Sequence, residues 1–313
     1  MSTAGSSGAA GAAAPSAGAA GSASGAGQGG ANAGSAGSAG APASSGAGAS
    51  GNAGSTSGAG AGAGTGGSAL VPSDDCTGRT ICEDFENMAL GSEPKAPYTV
   101  HKNNGSVTVD STHVHSGKQA LKVSVTATTP DSTSRQAMLA VTGAPLLPLS
   151  NDSLYGRFMI YTDRIPDSTV HWTIAHGDGP HDATTSATYN YGGMGGLMAN
   201  YYRNTTPNPT DCWQSNKQQF PTGKWTCVAF HFDGPNNEMQ FWIDGTEITD
   251  VHVLGNTKTD QTCTVKGVDG KWYAPTPFKN ITVGWESYQH DVAGAHDAWI
   301  DDVILDESPI ACP

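Results

Sequence analysis

From residue 74 onward, apolar and polar positions alternate with a period of two. Leu121, Val123 and Val125 are interleaved with Lys122, Ser124 and Thr126, the spacing of a strand that buries one face. Similar runs cover residues 155–161, 170–174, 184–191, 196–202, 224–232, 238–243, 278–285 and 298–305. They are rich in β-branched and aromatic residues and bounded by Gly, Pro, Asn and Asp, which marks them as strands. Asp244-Gly245, between Phe-Trp-Ile (241–243) and Thr-Glu-Ile (246–248), is a hairpin signal. No long stretch carries the apolar spacing of a helix. Many short strands without helices predict an all-β fold, a two-sheet antiparallel jelly-roll β-sandwich.

Composition then divides the chain. All 28 acidic, 15 basic and 10 His side chains follow residue 73, whereas 22 of the 42 glycines lie in residues 1–70. A Gly/Ala/Ser tract loses much backbone entropy on ordering and buries almost nothing. Residues 1–73 are therefore expected to be a disordered linker, and 74–313 one folded domain. The tract has no basic segment followed by an apolar one and no long apolar span, so no export signal or membrane insertion is expected from it. The net charge of −13 argues against nucleic acid or anionic membrane surfaces as partners. A monomer is expected.

Cysteine usage points to an oxidising compartment. Cys76, Cys82, Cys212, Cys227, Cys263 and Cys312 are an even number and contain no Cys-x-x-Cys pair. In a low-Lys β domain this pattern reads as disulfide-bonded and extracellular or cell-surface, with an export signal upstream of the sequence and the tract as a spacer. The competing reading is a mispredicted start on a cytoplasmic protein.

Several ordered blocks go further. They are Asp84-Phe-Glu86, residues 106–123 with a His-Ser-Gly turn, Pro-Thr-Gly-Lys-Trp-Thr-Cys (221–227) and Gln-Phe-Trp-Ile-Asp-Gly (240–245). Val-Gly-Trp-Glu-Ser-Tyr (283–288), Trp-Ile-Asp-Asp-Val (299–303) and Cys312 complete the set. Over about residues 80–312 the chain resembles the secreted cellulose-induced proteins, whose concanavalin-like jelly-roll core is related to the glucuronan lyases. The resemblance implies a groove across a concave sheet, a polysaccharide partner and a Cys227–Cys312 bridge. It leaves Cys76–Cys82 and Cys212–Cys263 as the remaining pairs. It also implies a structural Ca²⁺ at Glu86, Ser116, Gln119 and Asp301, where carboxylates and carbonyls suit a hard cation. Gln119 stands where the related pattern has Asn, a harmless change if the ligand is a main-chain carbonyl. The competing reading is that Glu86 and Asp301 are solvated edge charges.

A polysaccharide lyase needs a group to neutralise the uronate carboxylate, a base for the C5 proton and an acid for the leaving oxygen. His171 matches a family His, and Tyr288, beside Trp285 and Glu286, is a candidate acid/base. The family's His, Arg and Gln on the next strand are replaced by Thr188, Asn190 and Met194 in one alignment. A one-residue shift gives Tyr189, Tyr191 and Gly195 instead. In the first case Asn190 is an uncharged clamp for a carboxylate, weaker than Arg. Tyr189, Tyr191, Tyr201, Tyr202, Trp285 and Glu286 are candidate sugar contacts, and Trp225, Trp242 and Trp299 candidate core residues.

The imidazoles of His113 and His115 would share one strand face as a transition-metal pair or serve a structural role. Residues 176–182 read as a groove-rim loop. The expected function is β-elimination on a uronate-containing polysaccharide. The alternatives are a non-catalytic carbohydrate-binding module on a flexible stalk and a glycoside hydrolase using Glu286 or neighbouring acids.

Overall fold

The period-two runs become the strands of a sandwich. The computed structural model describes residues 76–127, 129, 134–205, 209–255, 262–263 and 271–313; the linker expected over 1–73 lies outside these. In chain order come β1 (Ile81–Glu83), β2 (Thr99–Asn103), β3 (Gly105–Asp110), β4 (Ala120–Val125), β5 (Arg135–Val141) and β6 (Ser153–Thr162). Next are β7 (Trp172–Pro180), β8 (Ser186–Gly193), β9 (Leu197–Arg203), β10 (Thr210–Ser215) and β11 (Thr226–Asp233). The last are β12 (Glu238–Ile243), β13 (Thr246–Glu247), β14 (Val253–Leu254), β15 (Thr262–Cys263), β16 (Asn280–Ser287) and β17 (His296–Asp306). Among the described residues the only helical element is one 3-10 turn, Thr249–Val251.

One sheet runs β13-β12-β11-β6-β17-β4-β3, with β1 on β17 and β14 on β12; the other runs β15-β10-β9-β8-β7-β16-β5-β2. The fold is all-β, with two antiparallel sheets, as the alternation predicts. Strands β2, β5 and β10 had no alternating signature of their own. β5 is buried at six of its seven positions, which hides the period. β10 is Thr-Asp-Cys-Trp-Gln-Ser, too polar to read as a strand.

Aromatic side chains fill the space between the sheets. Tyr191 of β8 stacks on Phe241 of β12 at 4.6 Å and on Phe232 of β11 at 5.9 Å. Tyr189 meets Phe232, Phe278 and Tyr201 edge to face. Trp172 of β7 and Trp285 of β16 lie parallel at 5.3 Å. Tyr189, Tyr191, Tyr201 and Trp285 all have 0% exposure. They are therefore core residues rather than the sugar platforms expected from sequence. Their exposed-strand look comes from aromatic β-propensity, which serves a buried face equally well.

The outer face of the nine-stranded sheet carries a separate cluster of Met159, Cys227, Ala229, Trp242 and Cys312, with Trp225 half-buried against it. Trp242 and Trp299 are buried, but Trp242 belongs to this outer cluster and not to the central core. His113 and His115 lie in the turn between β3 and β4, not on a strand face. His113 stacks on Tyr161 and Trp299, and His115 binds Asp302, so each imidazole has its own structural partner. Residues 176–180 are the second half of β7 rather than a rim loop, because Gly177 and Gly179 let the strand continue under close neighbours.

Disulfides Cys76–Cys82 and Cys227–Cys312 are formed. Cys212 is disulfide-bonded and stands opposite Cys263 in the β10–β15 ladder. The Cys227–Cys312 link closes a separation of 85 residues. Replacing both cysteines by Ala is expected to cost about 4 kcal/mol in the chain-entropy account, read as a lower urea midpoint with a steeper slope from the less compact unfolded chain.

Candidate functional site

Because Tyr189, Tyr191 and Tyr201 point inward, Thr188, Asn190, Asn200 and Tyr202 point to the opposite face of the eight-stranded sheet. The register Tyr189↔Tyr201 and Asn190↔Asn200 makes Thr188 and Asn190 the outward pair and Tyr189 and Tyr191 the inward one. On β7 the period breaks, since Ile174 and Ala175 both face the core and the β7–β8 register shifts between Thr173 and Ala175. This bulge puts His176 on the outer face, opposite Asn190. A second shift separates β7 from β16 between Val283 and Glu286. There Gly284 has φ 153°, and a Cβ would lie 2.5 Å from the Ala137 carbonyl, so no other residue fits without displacement.

These residues line an open cavity of about 470 Å³ with His171, His176, Thr188, Asn190, Asn200, Tyr202, Asp211, Tyr288 and Gln289. The three residues expected to carry chemistry, His171, Tyr288 and Asn190, are thus brought together. His171 directly precedes β7, and its ring lies 5.1 Å from that of Tyr288. Its N–H donates to Gln289 Oε1 at 2.7 Å, and its carbonyl accepts from Tyr288 N at 3.0 Å. Gln289 is held in turn by Arg135, whose guanidinium donates to its carbonyl. Arg135 is buried, and Arg164 pairs with buried Asp291 two residues further on. Burial pulls His171 down to about 4, which keeps it a neutral imidazole near neutral pH. Burial also pushes Tyr288 up, with the adjacent Glu286 carboxylate adding to the shift, so the phenol stays protonated. Glu286 is itself raised by burial and accepts from Gln136 Nε2 at 3.3 Å. It lies beneath Tyr288 and is not part of the cavity wall.

Asn190 does not have the polarity of a carboxylate clamp. Its Nδ2 donates to Asn200 Oδ1 at 3.1 Å, and Asn200 Nδ2 donates to Asp211 Oδ1 at 2.7 Å and to the Cys212 carbonyl at 3.1 Å. A main-chain carbonyl only accepts, so the relay runs one way and one of the two N–H groups of Asn190 Nδ2 is spent on Asn200. Asn200, Asp211 and Gln289 were not recognised as cavity residues from sequence, whereas Tyr202 was a candidate sugar contact and His176 was placed only in a rim loop. The alternation Asn200–Tyr201–Tyr202 contained the signal for Asn200, but the bulge that turns His176 outward has no sequence mark.

At the other sheet, Glu86 and Asp301 hold the 115–119 turn from two sides. Glu86 Oε1 accepts from Lys118 N at 2.6 Å and Gln119 N at 2.8 Å; Asp301 Oδ2 accepts from His115 N at 3.0 Å and Ser116 N at 3.1 Å. Gly117 has φ 65°, and a Cβ there would lie 2.5 Å from Glu86 Oε1, so this close grip requires glycine. Gln119 turns its Nε2 to the carbonyls of Phe85, Glu86 and Met88. Its side-chain nitrogen is thus occupied by backbone. Asp301 is fully buried, and burial with the neighbouring Asp302 pushes its carboxyl up to about 6. Glu86 and buried Asp301, which grip the same turn, are oxygen donors of the kind that a hard cation takes. Among the described residues no group of three or more His, Cys, Asp or Glu forms a metal cluster, so such a site would depend on carbonyl oxygens.

No described helix is long and apolar enough to cross a membrane. No curated protein matches the sequence. Among solved structures, the cellulose-induced protein Cip1 is similar at 19% identity and TM-score 0.54, covering 74% of this chain and all of its own. An endo-β-1,4-glucuronan lyase from the fungus Trichoderma reesei is similar at 15% identity and TM-score 0.49, covering 74% of this chain and 96% of its own. Residues 84–308 match the polysaccharide-lyase-like family described as the Cip1-like core domain. With most of the folded part matched, the chain belongs to the Cip1-like core-domain family.

Proposed function

We propose that this is an extracellular polysaccharide-binding domain, with the glycan lying across the cavity on the outer face of the eight-stranded sheet. The observation that carries the reading is the cavity itself. Its wall combines exposed Tyr202 with the rings of His171 and Tyr288, above a floor of Thr188, Asn190, Asn200 and Asp211. Aromatic rings beside amides and carboxylates are what hydroxyl-rich chains require. The disulfides support an extracellular or cell-surface location.

Lyase-type β-elimination is a second reading, favoured by His171 beside Tyr288. A neutral imidazole can take a proton and a protonated phenol can give one. Against it, the cavity wall contains no Lys or Arg among the described residues to neutralise a uronate. Calcium belongs to the proposal as a structural ion held by the carboxylates of Glu86 and Asp301 and by carbonyls of Ser116 and Gln119. It would supply positive charge to the buried acids that bind the 115–119 turn.

Three measurements test these assignments. The full chain, incubated with cellulose, glucuronan, alginate and pectate, is expected to be retained on at least one glycan, and Tyr202→Ala to weaken retention. Unsaturated uronate product that disappears in both His171→Ala and Tyr288→Phe would instead establish the lyase. Excess chelator is expected to lower the melting temperature of wild type but not of Asp301→Asn; an unchanged wild-type melt removes the ion. The folded-state pKa of His171 lies below its unfolded value of 6.5. Its contribution to stability is therefore complete above pH 6.5 and is lost as pH falls toward 4. His171→Gln should flatten that part of the acid-stability curve, and a curve that does not change would place the loss elsewhere.

A further inference from the structure

The cavity floor contains two buried acceptors with no partner. Asn190 is 4% exposed, and its Oδ1 has no hydrogen bond. The relay to the Cys212 carbonyl fixes its orientation, because Asn190 must direct one Nδ2 hydrogen at Asn200 Oδ1, which leaves its own oxygen without that partner. His176 is the second case. Its Nε2 lies 2.7 Å from Asp178 Oδ2, which also accepts from Asn280 Nδ2 at 2.7 Å. The proton of a neutral imidazole therefore sits on Nε2, and Nδ1 presents a lone pair that is buried and unpartnered. His176 and Asn190 are directly opposed in the β7–β8 ladder, where facing Cβ atoms are about 5 Å apart.

We infer that His176 and Asn190 form a two-acceptor receptor for a pair of sugar hydroxyls, and that the unit bound there is neutral and not a uronate. Two side-by-side acceptors complement two O–H donors. A carboxylate brings only lone pairs and would face Asn190 Oδ1, His176 Nδ1 and the nearby Asp178, Asp211 and Glu286. Leaving buried acceptors unpaired carries a free-energy cost that a ligand diol removes, and a site built around such groups rejects ligands lacking the matching donors. This inference rests on the glycan reading of the cavity and specifies what the floor recognises.

The test is calorimetric titration of the full chain with neutral β-linked hexasaccharides of glucose, mannose and xylose, and with the hexasaccharide of β-linked glucuronate. Wild type is expected to bind at least one neutral chain about tenfold or more tighter than the glucuronate chain. Asn190→Leu and His176→Phe should each weaken the neutral chain by about tenfold without weakening the glucuronate. Equal or tighter glucuronate binding by wild type overturns the inference, and this comparison needs no variant to fold. If Tyr202→Ala weakens neutral binding while Asn190→Leu and His176→Phe do not, the glycan cavity stands and the two-acceptor receptor falls. If no hexasaccharide binds, both fall together.

Discussion

The packing of Tyr189 and Tyr191 against Phe232, Phe241 and Phe278, and of Tyr201 against Trp272, fixes which face of β8 and β9 is which. A strand has only two faces, so burying these three rings leaves Thr188, Asn190, Asn200 and Tyr202 no choice but the other side. The chemistry of the cavity is in this sense set by the core. A slip of one residue would expose three tyrosines and bury two amides without partners, a change costly on both counts.

The same parity explains what could be read from the sequence. Alternation in β4, β6, β11 and β12 made the sandwich legible, and the ordered blocks from Asp84 to Cys312 made the family legible. Residues adjacent to a known motif, His171 and Tyr288, were found because position in the motif carried them. The tyrosines were misassigned because a row of aromatic residues on a strand does not say which layer it packs against. His176 stayed hidden for a different reason. A bulge after Ile174 reverses the inside–outside order, and nothing in Trp-Thr-Ile-Ala-His announces the extra residue.

Polar satisfaction distinguishes the two ends of the molecule's chemistry. At Glu86 and Asp301 one oxygen of each carboxylate accepts two main-chain N–H groups of one turn, so the acids organise backbone. In the cavity, amides are chained toward a fixed carbonyl, and the chain ends on Asn190 Oδ1, which has no partner. The first arrangement fastens a turn to the sheet, whereas the second fixes the orientation of two amides through their own hydrogen bonds.

Cys312 packs on the outer face of the nine-stranded sheet, and β1 joins the same sheet through β17. Residue 313 therefore leaves from the layer that does not contain the cavity. A bead or fluorophore coupled there would sit behind the sandwich and leave the cavity face uncovered.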